Sequence, residues 1–247
     1  MYRFSIVLSL LVFGACQEKS PEITAQQIVD RSIENACQGN CKGATISFTF
    51  RDKSYRSERH GGAYQMERLF SDSLGQYRDV LTNEGFRRYL NDSLVQLPDS
   101  MAVKYSNSVN SVHYFAQLPF GLNDPAVHKE LLGEALIKEQ PYYEVGVTFS
   151  EEGGGTDFED KFVYWIHKED YTVDYLAYSY ATDGGGIRFR EAYNPRVENG
   201  IRFVDYNNYK EAELSTPLTE LDTRFAEDQL KMLSKIETEN IAVEIQQ

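Results

Sequence analysis

The feature that most constrains the fold is a series of short segments in which apolar and polar residues alternate. In the first of them, Ile46, Phe48 and Phe50 alternate with polar side chains over residues 45–51. A period of two places the apolar side chains on one face of an extended strand. Similar runs follow at short spacing, separated by turn-forming residues, at 54–60, 63–70, 76–82, 85–91, 128–138, 141–150, 159–168, 172–182, 187–197 and 201–210. The sequence therefore predicts a mainly β fold of the α+β class with antiparallel strands.

Three further segments predict helices. Thr24 and Gln27 have the spacing of a capping box, and the apolar residues that follow at helical spacing predict a helix over 25–36. We expect a middle helix from Ser100, acting as its cap, to about residue 117, a C-terminal helix over 219–235, and a last strand at 241–245. Runs such as 162–166 and 175–180 are apolar at consecutive positions, so both faces of these strands need cover. The expected architecture is a curved sheet with the three helices packed on its concave side.

The N-terminus has the pattern of a bacterial secretion signal. Arg3 precedes a short apolar stretch, and the small residues Gly14 and Ala15 stand before Cys16. The stretch is too short to span a bilayer of roughly 30 Å as a helix. Small residues followed by cysteine resemble a lipobox, in which the cysteine is acylated and becomes the new N-terminus; Phe13 stands where that pattern usually has Leu. The alternative is ordinary cleavage beside an incidental cysteine.

This pattern predicts the organisation and the location of the protein. We expect a lipoprotein signal peptide over 1–15, a polar tether over 16–23, and one domain over 24–247, since no long linker divides the chain. Acyl chains on Cys16 would hold the protein at a membrane. The predicted location is the bacterial cell envelope, at the outer membrane, with the periplasmic and outer faces both open.

The two remaining cysteines, Cys37 and Cys41, flank a Gly-Asn pair that can turn tightly. In an oxidising compartment this spacing favours a local disulfide. The alternative, a metal site, would need further ligands, and the four histidines show no ligand spacing. We therefore expect no metal and no cofactor.

Charge and aromatic content narrow the class of partner. The net charge of −13 disfavours nucleic-acid binding, because such a protein repels phosphate backbones. Two Gly-Gly-Gly triplets, at 153–155 and 184–186, lie between strand-like runs and fit hairpin turns better than a phosphate loop. Nine tyrosines are interleaved with three arginines in the second half of the chain, as follows: Tyr142, Tyr143, Tyr164, Tyr175, Tyr178, Tyr180, Tyr193, Tyr206 and Tyr209, with Arg188, Arg190 and Arg202. Aromatic side chains with polar tips suit either a partly wet groove for an amphiphile or simply a large antiparallel sheet.

The run from Val163 to Tyr175, VYWIHKEDYTVDY, resembles the strand–turn–strand of the LolA/LolB-like lipoprotein-carrier superfamily. The order of N-terminal helix, strands, helical interruption and strands is similar to it too. The resemblance implies a half-open antiparallel barrel with helices over its mouth and an apolar cavity for acyl chains. The carriers usually have proline in the turn where this chain has Tyr171 and Thr172. Residues 105–115, 174–178 and 182–193 also resemble an uncharacterised family of Bacteroidota envelope lipoproteins, which implies no established activity.

Three functions follow as hypotheses. The first is a membrane-anchored, non-catalytic module that binds a lipid or other apolar ligand in the half-barrel, lined by Ile46, Phe48, Phe50, Tyr143, Val145, Val147, Phe149 and Trp165. The second is a hydrolase-like envelope enzyme with a polar cleft formed by Arg78, Asp79, His113, Arg188, Arg190 and Glu191. The third is a structural partner of other envelope proteins, which would expose a large apolar patch.

Overall fold

The computed structural model describes residues 23–155 and 157–245, without the side chain of Asp183, and these form two seven-stranded antiparallel sheets that do not close. The first sheet has the order β14-β1-β2-β3-β4-β5-β6, with strands Ala44–Phe50 (β1), Lys53–His60 (β2), Ala63–Asp72 (β3), Gly75–Thr82 (β4), Gly85–Leu90 (β5), Ser93–Leu94 (β6) and Thr238–Ile245 (β14). The second has the order β13-β12-β11-β10-β9-β8-β7, with strands Val127–Ile137 (β7), Gln140–Phe149 (β8), Lys161–His167 (β9), Val173–Tyr180 (β10), Gly186–Glu198 (β11), Ile201–Glu211 (β12) and Lys231–Ile236 (β13). Together with three helices in the described residues, this confirms the predicted mainly β, α+β architecture.

The N-terminal helix α1, Ala25–Cys37, begins at the predicted capping box. The Thr24 hydroxyl accepts a hydrogen bond from the Gln27 amide at 3.2 Å, and the Gln27 side chain accepts one from the Thr24 amide at 3.0 Å. Its apolar stripe, including Ile28 and Val29, is buried against the second sheet. The helix ends in a disulfide between Cys37 and Cys41, whose Cα atoms are 5.3 Å apart.

The middle helix α2, Asp99–Ala116, lies between the two sheets. It begins after Pro98, which has no side-chain capping bond, so the expected Ser100 cap is wrong. One side packs across β3, β4 and β5, where the His113 ring lies 3.0 Å from the Glu67 carbonyl oxygen. On another side, the Phe115 ring meets Phe162 of the second sheet with centroids 6.3 Å apart. The helix therefore forms a wall between the sheets.

In the second sheet, strands β9 and β10 are largely buried on both faces, as the consecutive apolar residues predicted. On β9, Phe162, Tyr164 and Ile166 face a buried cluster that includes residues of α1. Val163 and Trp165 face a separate cluster with Leu221 and Phe225. The third helix therefore covers the face opposite α1.

This third helix, α3, spans only Leu221–Ala226, not the expected 219–235. The backbone of Asp228 adopts the left-handed region, with φ of 56°, and this ends the helical path. The chain then extends into β13 at Lys231. The sequence predicts α3 on the same side of the sheet as the other helices. The helix lies on the opposite face instead, because the aromatic residues of β9 and β10 need cover on that face too.

The two sheets meet where β13 runs into β14, with only Glu237 between them. The buried carboxylate of Asp205 on β12 lies at this junction. It accepts hydrogen bonds from the Thr238 amide at 3.0 Å, from Arg196 Nη2 at 2.9 Å and from Asn194 Nδ2 at 2.7 Å. Asp205 thus ties the first residue of β14 to the second sheet, together with Arg196, which also donates to the Thr238 carbonyl and hydroxyl oxygens at 2.5 and 2.7 Å.

We expect Asp205→Ala to lower the free energy of unfolding by about 1–3 kcal/mol, because the part-buried Thr238 amide loses its acceptor and the mostly buried Arg196 guanidinium loses its only carboxylate partner among the described residues, keeping neutral acceptors alone. Urea unfolding at neutral pH measures this. Glu198→Ala, at an exposed position on β11, is the control and should change stability by less than about 0.5 kcal/mol. Equal losses in the two variants would show that Asp205 does not hold the junction.

Candidate functional site

An open cleft of about 760 Å³ lies between α2 and the second sheet. The sheet contributes aromatic and aliphatic side chains, and α2 contributes Val103, Val112, Phe115 and Ala116 together with several polar side chains. The volume lies in the range that small-molecule sites in proteins occupy. The cleft exists because α2 is held against the first sheet, which leaves part of the second sheet uncovered.

The wall of the cleft on the second sheet is a connected set of aromatic rings. Phe162 lies 5.3 Å from Tyr178 and 5.7 Å from Phe149, measured between ring centroids, and Tyr178 lies 5.2 Å from Phe115 across the cleft on α2. Because the ring contacts link side chains on separate elements, the apolar wall is formed before any ligand arrives. Such a wall suits the apolar body of an amphiphile.

One buried cation, Arg190 on β11, lines this wall. Only 7% of the residue is exposed, and its guanidinium carbon lies 3.7 Å from the centre of the Phe115 ring and 5.2 Å from that of Tyr178. Its Nη2 donates a hydrogen bond to the Tyr178 hydroxyl at 2.9 Å, and its Nε has no partner. No acidic side chain among the described residues forms an ion pair with it.

Two carboxylates, Asp157 and Asp160, lie elsewhere on the cleft, in the loop between β8 and β9. Burial raises the pKa of Asp160 to about 6, and repulsion from Asp157 adds to the shift. Burial also raises the pKa of Asp157. Lys104 of α2 lines the cleft as well, so the cleft carries charged groups of both signs. The acidic segment 151–160 therefore contributes two carboxylates to the cleft.

Only Phe50 and Phe149 of the eight predicted lining residues lie on the cleft. The other six belong to filled parts of the protein, as follows: Val145 and Val147 in the cluster with α1, Tyr143 packed against that cluster, Ile46 and Phe48 in the cluster with the disulfide, and Trp165 in the cluster with α3. This corrects the predicted lining. Alternation identified the inward face of each strand, but α1, α3 and the disulfide turn fill the space in front of most of it.

The six residues of the predicted polar cleft are not brought together, and only Arg190 of them lines the cleft. The Asp79 carboxylate is completely buried between two arginines of the first sheet. Arg78, its neighbour on β4, points to the opposite face and pairs with Glu67 at 3.3 Å. His113 is buried against the first sheet. Arg188 bonds to the Tyr180 hydroxyl and Glu191 pairs with Lys138, so the structure assembles no hydrolase-like constellation from these six.

The sequence signal that came nearest to the cleft was the interleaving of tyrosines with arginines. Of that set, Tyr178, Tyr180, Tyr206 and Arg190 lie on the cleft, and the other six tyrosines and two arginines do not. Sequence reasoning missed the contribution of α2, because a polar helix surface rich in Ser and Asn gives no sign that it faces a cavity. Cys16 lies outside the described residues, as do the predicted signal peptide and almost all of the predicted tether.

Membrane-spanning helices and metal sites can be assessed for the described residues. None of their helices is both long and apolar enough to cross a membrane. No group of three or more His, Cys, Asp or Glu side chains among them is arranged to hold a metal ion.

The fold and the cleft define an open-sheet antiparallel β protein with a helix-walled apolar cleft. The chain belongs to a family described as a family of unknown function, DUF6503, whose model matches residues 3–238. No curated protein matches the sequence.

Several solved structures are similar to this one, among them two that cover most of both chains. A DUF1329 family protein from Desulfovibrio piger matches with a TM-score of 0.54 and 12% identity, over 88% of this chain and 92% of that one. A LolA superfamily protein from Nitrosomonas europaea matches with a TM-score of 0.48 and 12% identity, over 90% of this chain and 92% of that one. The similarity to the Desulfovibrio protein is one of fold.

Proposed function

We propose that this protein is a non-catalytic binding module of the bacterial envelope that holds a lipid or other apolar ligand in the cleft beside α2. The observation that carries the proposal is the preformed aromatic wall of an open, largely apolar cleft of about 760 Å³. Binding would come from burial of the apolar part of the ligand, at about 25 cal/mol for each Å² removed from water. The polar groups at the cleft would orient the ligand.

Anchoring is part of this proposal. A lipobox-like N-terminus ending at Cys16 supports acylation, which would place residues 24–247, as one domain, beside the outer membrane on either face. An origin in Bacteroidota belongs to the same proposal and rests on the resemblance of residues 105–115, 174–178 and 182–193. A ligand cleft on a membrane-anchored module could exchange lipids with that membrane without long-range diffusion.

Filling the cleft tests the proposed function. Ser111 is an exposed residue of α2 that lines the cleft, so Ser111→Trp should place an indole in the ligand space and lower the affinity for the fluorescent fatty acid cis-parinarate at least about tenfold. Fluorescence titration of the purified domain measures the affinity, and native mass spectrometry of protein from its own envelope identifies a bound lipid.

Ser73→Trp is the matched control, because it adds the same ring at an exposed turn far along the first sheet, between β3 and β4. It should bind as the unmodified protein does. If the unmodified domain carries no lipid and binds no parinarate, or if both tryptophan variants bind normally, the cleft is not a ligand site.

A further inference from the structure

We infer that the ligand is an acidic amphiphile, and that its oxyanion headgroup binds deep in the cleft to Arg190 and the Tyr178 hydroxyl. This inference rests on the proposed function and adds the chemical class of the ligand and its orientation. The headgroup chemistry is a carboxylate or a phosphate ester on a long apolar chain. Its first support is the state of Arg190 itself.

Arg190 is a buried cation with no anionic partner among the residues that the structure describes. A guanidinium has five N–H donors, and here Nη2 bonds to a neutral hydroxyl while the buried Nε bonds to nothing. Its register partner on β12 is the uncharged Asn208. The aromatic rings of Phe115, Tyr178 and Tyr206 attract the cation through their faces but accept no N–H hydrogen bonds in the plane of the guanidinium. An unpaired buried charge is costly, so its presence at a ligand cleft points to a partner that arrives with the ligand.

The same chain shows how its arginines bind a carboxylate when one is present. Arg68 donates Nε and Nη2 to Asp79 at 2.9 and 2.6 Å, and Arg88 donates the same two nitrogens at 2.6 and 2.9 Å. In Arg190 the same two nitrogens have no carboxylate among the described residues. Its Nε has no hydrogen-bond partner there, and its Nη2 bonds to the neutral hydroxyl of Tyr178. A carboxylate at these two nitrogens would receive two charge-assisted hydrogen bonds.

Tyr178 supplies a further donor. Its hydroxyl accepts from Arg190 and lines the cleft, and no acceptor for its own hydrogen is found among the described residues. Rotation of that O–H toward an oxyanion would add a third hydrogen bond. Phe115 and Phe162, which lie 5.2 and 5.3 Å from the Tyr178 ring, would then flank the first carbons of the chain.

The first test uses the unmodified domain and three ligands with the same sixteen-carbon chain. In parinarate displacement, hexadecanoate and hexadecyl phosphate should bind about tenfold or more tightly than 1-hexadecanol, because only the acids gain charge-assisted bonds. The tighter of the two acids identifies the headgroup class. Equal affinity for acid and alcohol would leave the proposed function standing and overturn the anionic anchor. Failure of all three to bind would overturn both.

Variants then locate the headgroup. Arg190→Met should abolish the preference for acid over alcohol, and Tyr178→Phe should reduce it. Arg188→Met is the matched control, because Arg188 lies two residues away on the same strand and bonds to a tyrosine hydroxyl but does not line the cleft. It should keep the preference. Loss of the preference in Lys104→Met, with its retention in Arg190→Met, would place the headgroup at Lys104 and overturn the assignment.

Stability separates a ligand-binding arginine from a structural one. Because ligand-free Arg190 is a buried, unpaired charge, Arg190→Met should fold and melt at a temperature no lower than that of the unmodified apo domain. Added hexadecanoate should raise the melting temperature of the unmodified protein and leave that of Arg190→Met nearly unchanged. A variant that unfolds or melts much lower would show that Arg190 holds the fold together, against the inference.

Discussion

Replacing Asp79 with alanine is expected to lower the free energy of unfolding by about 3–5 kcal/mol, the largest loss that we expect from a single substitution in this protein. The carboxylate is completely buried and receives four hydrogen bonds, two from Arg68 and two from Arg88, at 2.6–2.9 Å. Its removal leaves two guanidinium groups, each less than a tenth exposed, facing each other without an anion. Urea unfolding followed by circular dichroism at pH 7.5 measures the loss.

Arg68 and Arg88, which form a charged triad with Asp79, also hold α2 in place. Arg68 Nη1 donates to the Ser108 hydroxyl at 2.7 Å, and the Arg88 guanidinium lies 3.6 Å from the centre of the Tyr105 ring. Loss of Asp79 should therefore loosen the helix that walls the cleft and weaken parinarate binding as well as stability. A substitution in the first sheet would therefore change ligand binding at the cleft on the second sheet.

Two controls show whether the loss of stability comes from leaving buried arginines unpaired or simply from removing a carboxylate. Glu84→Ala removes a carboxylate from an exposed pair with Arg87 and should cost about 1 kcal/mol or less. The triple variant Arg68→Met, Asp79→Leu, Arg88→Met replaces the whole triad with apolar side chains and should be closer in stability to the unmodified protein than Asp79→Ala is. A loss for Asp79→Ala no greater than that for Glu84→Ala would contradict the expectation.

Lowering the pH from 7.5 to 5 is expected to remove about 2 kcal/mol of stability through His113 alone. Burial lowers the pKa of His113 to about 4 in the folded protein, and the positive charge of Arg59 lowers it further, against the raising effect of the bond to the Glu67 carbonyl. In the unfolded chain the pKa is about 6.5. Between these values the unfolded state binds a proton that the folded state does not, so stability falls as the pH decreases from about 6.5 to about 4.

Asp160 acts in the opposite direction in the same range. Its pKa is raised to about 6, so the folded state binds the extra proton there and stability through this group rises as the pH falls. The prediction for His113 is therefore tested as a difference. The gap in unfolding free energy between the unmodified protein and His113→Gln should change by about 2 kcal/mol between pH 7.5 and 5, to the disadvantage of the unmodified protein.

His60→Gln is the control for this measurement, because His60 is exposed on β2. It removes a histidine without touching the buried ring, and so separates the effect of burial from the loss of a histidine as such. A constant gap for His113→Gln would mean that the buried imidazole titrates as it does in water, contrary to its position between Phe48 and Tyr55, whose ring centroids each lie 5.6 Å away.

Much of the fold could be predicted from local patterns. The alternation around Ile46 predicted β1, and the capping box at Thr24 predicted the start of α1. The glycine triplets predicted turns, and Gly184 and Gly185 adopt positive φ there, of 89° and 78°. These features succeed because strand period, capping and turn conformation depend on residues close together in sequence.

The candidate site was predicted less well, and for a different reason. Phe50 and Val147 have equally clear inward-facing patterns, but Phe50 lies on the cleft and Val147 is buried in the cluster with α1. Which of them meets a ligand depends on which helix covers each strand. Likewise, Asp79 and Arg190 look alike as charged residues in strands, but the first has two partners and the second has no ion-pair partner among the described residues.

The sequence by itself determined that this chain is a mainly β protein with antiparallel strands, and it indicated the helical start at residue 25 and the cysteine pair at the end of that helix. Only the tertiary structure decided that α2 stands between the sheets, that α3 covers the second face, and that Arg190 lies buried at the cleft with no carboxylate of the described residues beside it. The physical reason is that periodicity records which way a side chain points, whereas cavities and charge partners depend on contacts between residues that are distant in the chain.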